Sequence, residues 1–388
     1  MPKISIGACP MINRLLKPPT AKSFFLFGPR ATGKTSWVKT IFTDAIYLDL
    51  LESATYVQLM AAPNLLESFI PPNFQGWVII DEVQKIPELL NEVHRLIENR
   101  KIKFVLTGSS ARQLRKKGIN LLAGRALRYS MHPLTAIELG AKFDLQQALS
   151  WGMLPAIQQE PDKKQYLETY VATYLREEVL QEGLTRNLAS FSRFLEAASF
   201  SQGSVLNMSE VARECAVDRK TVEGYFYILE DLLLSRRIPV FTKRAKRELV
   251  AHPKFFYFDV GIYRAIRPLG PLDSAEEISG AALETLFLQN ILAINDYLQL
   301  DYQFFFWRTK MGIEVDFVAY GPRGLVAFEI KRSKRVGPLD TRGLRTFKEE
   351  YPVAKLYLLY GGDKELYEGD VVVLPFEKAL KELDKILE

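Results

Sequence analysis

The chain has 388 residues, is 48% hydrophobic and 25% charged, and carries a net charge of +5. That length allows two or three domains, the composition is that of ordinary soluble proteins, and the charge hints only weakly at a polyanionic partner. Two cysteines, Cys9 and Cys215, exclude a disulfide framework and point to a reducing cytoplasm. Three histidines leave little for a zinc site, and no apolar run reaches the ~18 residues of a membrane span, nor is there a signal-peptide pattern.

Ser23 to Phe27 is a short apolar run that predicts a buried strand. Gly28-Pro29-Arg30-Ala31-Thr32-Gly33-Lys34-Thr35 follows and fits the phosphate-loop template G-x-x-x-x-G-K-[ST]. A helix beginning near Ser36 would aim free N–H groups at phosphate. The two glycines let the backbone wrap closely, Lys34 would reach the β- and γ-phosphates of a nucleotide, and the Thr35 hydroxyl would ligate Mg²⁺. Trp77 to Ile80 predicts another strand, ending in Asp81 and Glu82. Asp81 would hold Mg²⁺ through water, and Glu82 would polarise the attacking water. The strand at Lys103–Ser110 ends in small polar residues. Thr107, with Ser109 as second choice, could contact the γ-phosphate or the water.

The region from Leu134 to Arg247 reads as mostly helical. Within it, Ser209 can cap a helix whose inner face is Val211, Ala212 and Cys215. A turn at Ala216–Asp218 leads to a second helix with Val222, Tyr225, Phe226 and Leu229 inside. This is a helix-turn-helix pattern, with Arg219 and Lys220 where recognition helices present contacts to DNA. Tyr225, Phe226 and Tyr227 read as core. Six basic residues, Arg236, Arg237, Lys243, Arg244, Lys246 and Arg247, then face only Glu248, as in a basic wing that tracks phosphates.

From His252 the pattern is α+β, with strands at Phe304–Trp307, Glu314–Ala319, Leu325–Ile330, Leu356–Tyr360 and Val371–Leu374. Asp316 lies on one of these. Glu329 and Lys331 lie on the next, two apart, so they share a face. Such carboxylates can hold a second Mg²⁺ or Mn²⁺ while the lysine orients or activates water.

The order of phosphate loop, "IIDE", "LTGSS" and "LLAGRALRYS" resembles the AAA-type P-loop ATPases over the first 135 residues or so. The resemblance implies that Arg125 reaches into a neighbouring subunit's ATP, with Arg128 and Arg112 as alternatives, and hence a homo-oligomer. The lid arginine that senses nucleotide is only weakly indicated, with Arg176 in its place. The D…E-x-K order resembles the PD-(D/E)XK nuclease core. Glu284 matches the acidic residue on that core's first helix, although Val315 replaces the usual proline. Together with "FYFDVGIYRAI" and "WGMLPA", nearly the whole chain resembles a group of prokaryotic AAA-type ATPases (the AAA_14 type) with a C-terminal nuclease-like domain of unknown function, DUF4143.

The expected architecture is an α/β AAA-type P-loop ATPase sheet (1–135), then a helical lid and winged helix (136–250), then an α+β restriction-nuclease-like domain (251–388). The expected function is ATP hydrolysis coupled to remodelling or translocating DNA, branched DNA included. The rivals are an ATP-gated, metal-dependent nuclease and a slow nucleotide switch that binds a protein partner or promoter.

Overall fold

Ser23–Phe27 forms strand β1, buried along its whole length because a packed layer lies on each face. Phe25 and Phe27 stack 5.4 Å apart on one side, in a cluster with Leu89, Leu90, Val93 and Leu96. Phe24 and Leu26 turn the other way, onto Trp37, Val38 and Ile79. Two-sided burial is why the run is continuously apolar and does not alternate. The computed structural model describes residues 12–112, 114, 122, 124–175, 179, 188–243, 245, 249–271 and 273–388.

With β1, strands β2 (Ile46–Asp49), β3 (Trp77–Asp81), β4 (Lys103–Gly108) and β5 (Ala126–Ser130) make a parallel sheet in the order β2-β3-β4-β1-β5. Helix α1 (Lys34–Ile41) covers one face and α2 (Leu89–Arg100) the other. β1 is therefore central, and its C-terminal end delivers the phosphate loop beside the ends of β3 and β4. Open α/β sheets bind ligands at that edge.

Short helical turns between Ala136 and Thr169 follow. A helix at Leu188–Ser199, α3 (Met208–Cys215) and α4 (Arg219–Asp231) then lead into the antiparallel pair β6 (Ser235–Ile238) and β7 (Lys254–Tyr257). This is the helix-turn-helix with a wing. Its first cap is Asn207, whose side chain accepts the Glu210 N–H, and not Ser209. Asp218 caps the second helix as the sequence indicates. Tyr227 is 51% exposed, a correction to its reading as core: it faces outward under the Arg237 guanidinium, 4.5 Å from the ring centre.

Helix α5 (Ala275–Leu298) and strands β8 (Gln303–Arg308), β9 (Glu314–Gly321), β10 (Gly324–Lys331), β11 (Lys355–Tyr360), β12 (Leu366–Glu368) and β13 (Val371–Pro375) form the C-terminal part. The mixed sheet runs β12-β13-β11-β10-β9-β8. Phe287 of α5 packs on Phe317 and Phe328. Phe347 of α6 (Arg342–Glu350) packs edge-on against Trp307. Among the described residues no helix is long and apolar enough to cross a membrane.

Candidate functional site

The phosphate loop holds its shape through its own backbone. Ala31 and Gly33 take left-handed conformations, with φ of 63° and 91°. Thr32 is buried and donates its hydroxyl to the Pro29 carbonyl at 2.8 Å. A Cβ at Gly28 would collide with the Met131 carbonyl, so this glycine serves the close approach of the loop after β5. Lys34 donates to the carbonyls of Gly28 at 2.7 Å and Pro29 at 3.0 Å. Its ammonium is thus parked on the loop that it would share with phosphate.

Asp81, at the end of β3, gathers three hydroxyl donors. Thr35 reaches Oδ2 at 2.8 Å, Tyr47 reaches the same oxygen, and Thr107 reaches Oδ1. Burial and then Asp81 push the Tyr47 phenol well above its ordinary value, so it stays a donor. Thr107 also accepts the Glu82 N–H at 3.3 Å. The sequence reading aimed Thr107 at phosphate; its hydroxyl is committed to Asp81. Glu82 itself has a φ of 59°, a strained setting for a non-glycine residue that turns its carboxylate off the strand.

Gln84, which the sequence reading missed, donates to Glu82 Oε2 and, at 3.3 Å, to Ser109 Oγ. Gly108 makes room for it, since a Cβ there would collide with Gln84 Oε1. The small residues of "LTGSS" therefore seat the residue that holds Glu82. A cavity of about 500 Å³ opens beside the loop, lined by Arg30, Lys34, Thr35 and Glu82 and walled by Leu134, Pro155 and Ala156. Pro155 and Ala156 close the "WGMLPA" motif, which carried no role in the sequence. Arg14 lies behind, donating to the Thr32 carbonyl at 2.7 Å, to Glu138 Oε1 at 2.9 Å and to Tyr297 Oη at 2.8 Å. Burial works against its charge, but Tyr297 and Glu138 outweigh it and hold the pKa up.

In the C-terminal sheet the four residues picked from the sequence lie within one cluster. Asp316 Oδ2 accepts the Ile330 N–H at 2.8 Å, and Lys331 pairs with Glu329 Oε1 at 2.7 Å. Two further residues enter unannounced. Lys254 of β7 reaches Glu314 Oε1 at 2.5 Å, Glu284 Oε2 at 3.3 Å and Asp316 Oδ1 at 3.6 Å. Burial and then Asp316 push the Glu329 carboxyl well above the usual range. Among the described residues no group of three or more His, Cys, Asp or Glu is arranged to hold a metal ion.

Residues 20–140 match the family described as AAA domain, and residues 279–379 match a domain of unknown function, DUF4143. The chain is an AAA-type P-loop protein with a C-terminal DUF4143 domain. Between the two, residues 142–273 match a second domain of unknown function, DUF8612. No protein of curated function matches. Among solved structures, the Aeropyrum pernix Orc1 protein in complex with DNA is 13% identical, with a TM-score of 0.27, over 64% of this chain and 87% of that one. Protein VC1899 from Vibrio cholerae is 12% identical, with a TM-score of 0.23, over 88% and 97%.

None of the three arginine-finger candidates, Arg125, Arg128 and Arg112, is among the residues lining the phosphate loop cavity. Arg125 pairs with Glu98 on the surface, and Arg112 pairs with Asp231 at the end of α4. Arg128 stands 5.7 Å over the Phe27 ring. On the winged helix, Arg219 and Lys220 are exposed at the start of α4. Arg176, Arg244 and Lys246 lie outside the described residues. Phe241 donates its N–H to the Phe306 carbonyl at 2.7 Å, and Val250 donates to the Arg308 carbonyl at 3.1 Å, so these two residues of the wing meet β8 of the DUF4143 sheet. Lys243 sits 4.0 Å over the Tyr320 ring.

Proposed function

We propose that this protein hydrolyses ATP and uses the cycle to remodel or translocate DNA as a homo-oligomer in the cytoplasm. The observation that carries the reading is the convergence of Lys34, Thr35, Asp81 and Glu82 at the C-terminal edge of one sheet. Mg²⁺ fits the donor set, because the Thr35 hydroxyl and the Asp81 carboxylate are hard oxygen ligands already 2.8 Å apart. When bound, the ion neutralises phosphate charge. Gly33 and the first turn of α1 cradle the phosphates with backbone N–H groups. Lys34 exchanges the Gly28 and Pro29 carbonyls for phosphate oxygens. Thr107 and Tyr47 fix the Asp81 carboxylate, and Gln84 aims Glu82 at the attacking water, whose proton Glu82 accepts. Arg125, half-buried beside Glu98 on the AAA domain, would reach the nucleotide of a neighbouring copy. Arg219 and Lys220 would meet the DNA backbone.

Lys34→Ala should abolish ATP binding. Glu82→Gln should bind ATP normally and hydrolyse it at least ~100-fold more slowly, the lower range for a positioned base. Fluorescent-nucleotide binding and phosphate release measure the two. Normal turnover by Glu82→Gln would end the assignment.

A further inference from the structure

The DUF4143 carboxylate centre already contains a cation, and it is a side chain. Lys254 lies on β7, which pairs with β6 of the wing, yet its ammonium lies among Glu284, Glu314 and Asp316, which come from α5 and β9. We propose that Lys254 is the built-in cation of this centre: its ammonium takes the seat a divalent ion would take, and the centre joins the winged helix to the DUF4143 sheet without needing metal.

Three observations support this. The first is position. A divalent ion binds carboxylate oxygens at ~2.0–2.6 Å, and Lys254 Nζ stands at 2.5 Å from Glu314. An ion shared by Glu284 and Asp316 would sit within a few ångströms of that ammonium, in a buried setting where like charges repel strongly. The second is confinement. Lys254 is 2% exposed, and its strand is held in register opposite Ile238 and bridged to Val205. Burial lowers the lysine's basicity, but Glu284, Asp316 and Glu314 outweigh that and keep the ammonium charged.

The third is charge. Lys331 pairs with Glu329, and Arg308 reaches Glu314 at 3.3 Å. Three cations thus face four carboxylates. The centre is therefore left with little excess negative charge to draw in a dication.

The test is thermal unfolding of the full chain with and without Mn²⁺, in wild type, Lys254→Met, Lys254→Met/Asp316→Asn and Asp316→Asn. The account expects no Asp316-dependent shift in the wild type. It expects Lys254→Met to melt lower and to recover by roughly 5 °C on adding Mn²⁺, with the recovery lost when Asp316→Asn is added. An Asp316-dependent Mn²⁺ shift in the wild type would overturn it, as would a folded Lys254→Met that ignores Mn²⁺. Should Lys254→Met not fold, Lys254→Met/Glu314→Gln keeps the charge nearly balanced. That variant must fold, and failure there would contradict the assignment too.

Discussion

Asp259 shows how one buried residue ties distant parts of the chain together. Its carboxylate accepts the N–H groups of Met153 at 2.8 Å, Gly261 at 2.8 Å and Ile262 at 3.3 Å. Burial pushes its pKa up to about 6, against the pull of these N–H donors. A carboxyl whose folded pKa exceeds its unfolded one binds its proton better when folded. Its stabilising contribution is full below the unfolded value of 3.8 and is lost as pH rises through about 6. Asp259→Asn removes this titration, although it also sets a donor against the Met153 N–H. The variant's stability deficit relative to wild type should therefore shrink between pH 4 and pH 7, by up to ~3 kcal/mol for a shift of about two units. Urea melts at several pH values measure it; a deficit that is constant or grows with pH would contradict the burial argument.

At the scale of elements, the decisive junction is where "WGMLPA" meets "FDVG". Gly152 has φ 77° and ψ −167°, a region that essentially only glycine enters. A Cβ there would strike Asp259 Oδ1 and Gly261 N, and a Cβ at Gly261 would strike the Trp151 carbonyl. The two glycines let the turn that walls the nucleotide cavity interlock with the start of the helix Val260–Ile266. Gly152→Ala should cost at least ~3 kcal/mol, strain and collision together, and should weaken ATP binding because Pro155 and Ala156 would move. Gly369→Ala is the control: φ is 63° with open space around the glycine, so it should cost only ~1–2 kcal/mol. Equal costs would mean that the interlock adds nothing.

This contrast also explains what was legible in the sequence. The β1–loop–α1 unit and the acidic end of β3 could be read because each is written in a few consecutive residues. The strands of the C-terminal sheet were legible for the same reason. Gln84 was missed because its role depends on Gly108, on another strand. Lys254 was missed because a single lysine before "FFYF" reads as punctuation at a strand end, and only the fold brings Glu284, Glu314 and Asp316 around it. The basic wing was read by charge alone, which cannot show that Phe241 packs into the DUF4143 core.

At the scale of the whole molecule, the AAA domain is clamped by the far end of the chain. Tyr297 of α5 points its hydroxyl at the AAA domain, donating to Met131 Sδ at 3.7 Å. It accepts the His132 N–H at 2.9 Å and the Arg14 guanidinium, while Asp296 pairs with His132 at 2.7 Å. Movement of the phosphate loop would therefore be felt by α5, which carries Glu284. The proposed oligomer has its own test. Arg125→Ala should bind ATP and hydrolyse it slowly, and mixing it with Lys34→Ala should restore part of the turnover, one copy supplying the arginine and the other the phosphate site. No rescue at any concentration would assign Arg125 to its surface pair with Glu98 alone. The claim that joins these parts is that ATP turnover is coupled to DNA, and steady-state phosphate release with and without single-stranded, duplex and branched DNA at one salt concentration tests it most directly. The account predicts Mg²⁺-dependent turnover that rises severalfold with at least one DNA form and falls back when Arg219 and Lys220 are changed to Glu; slow turnover that no DNA alters would contradict it.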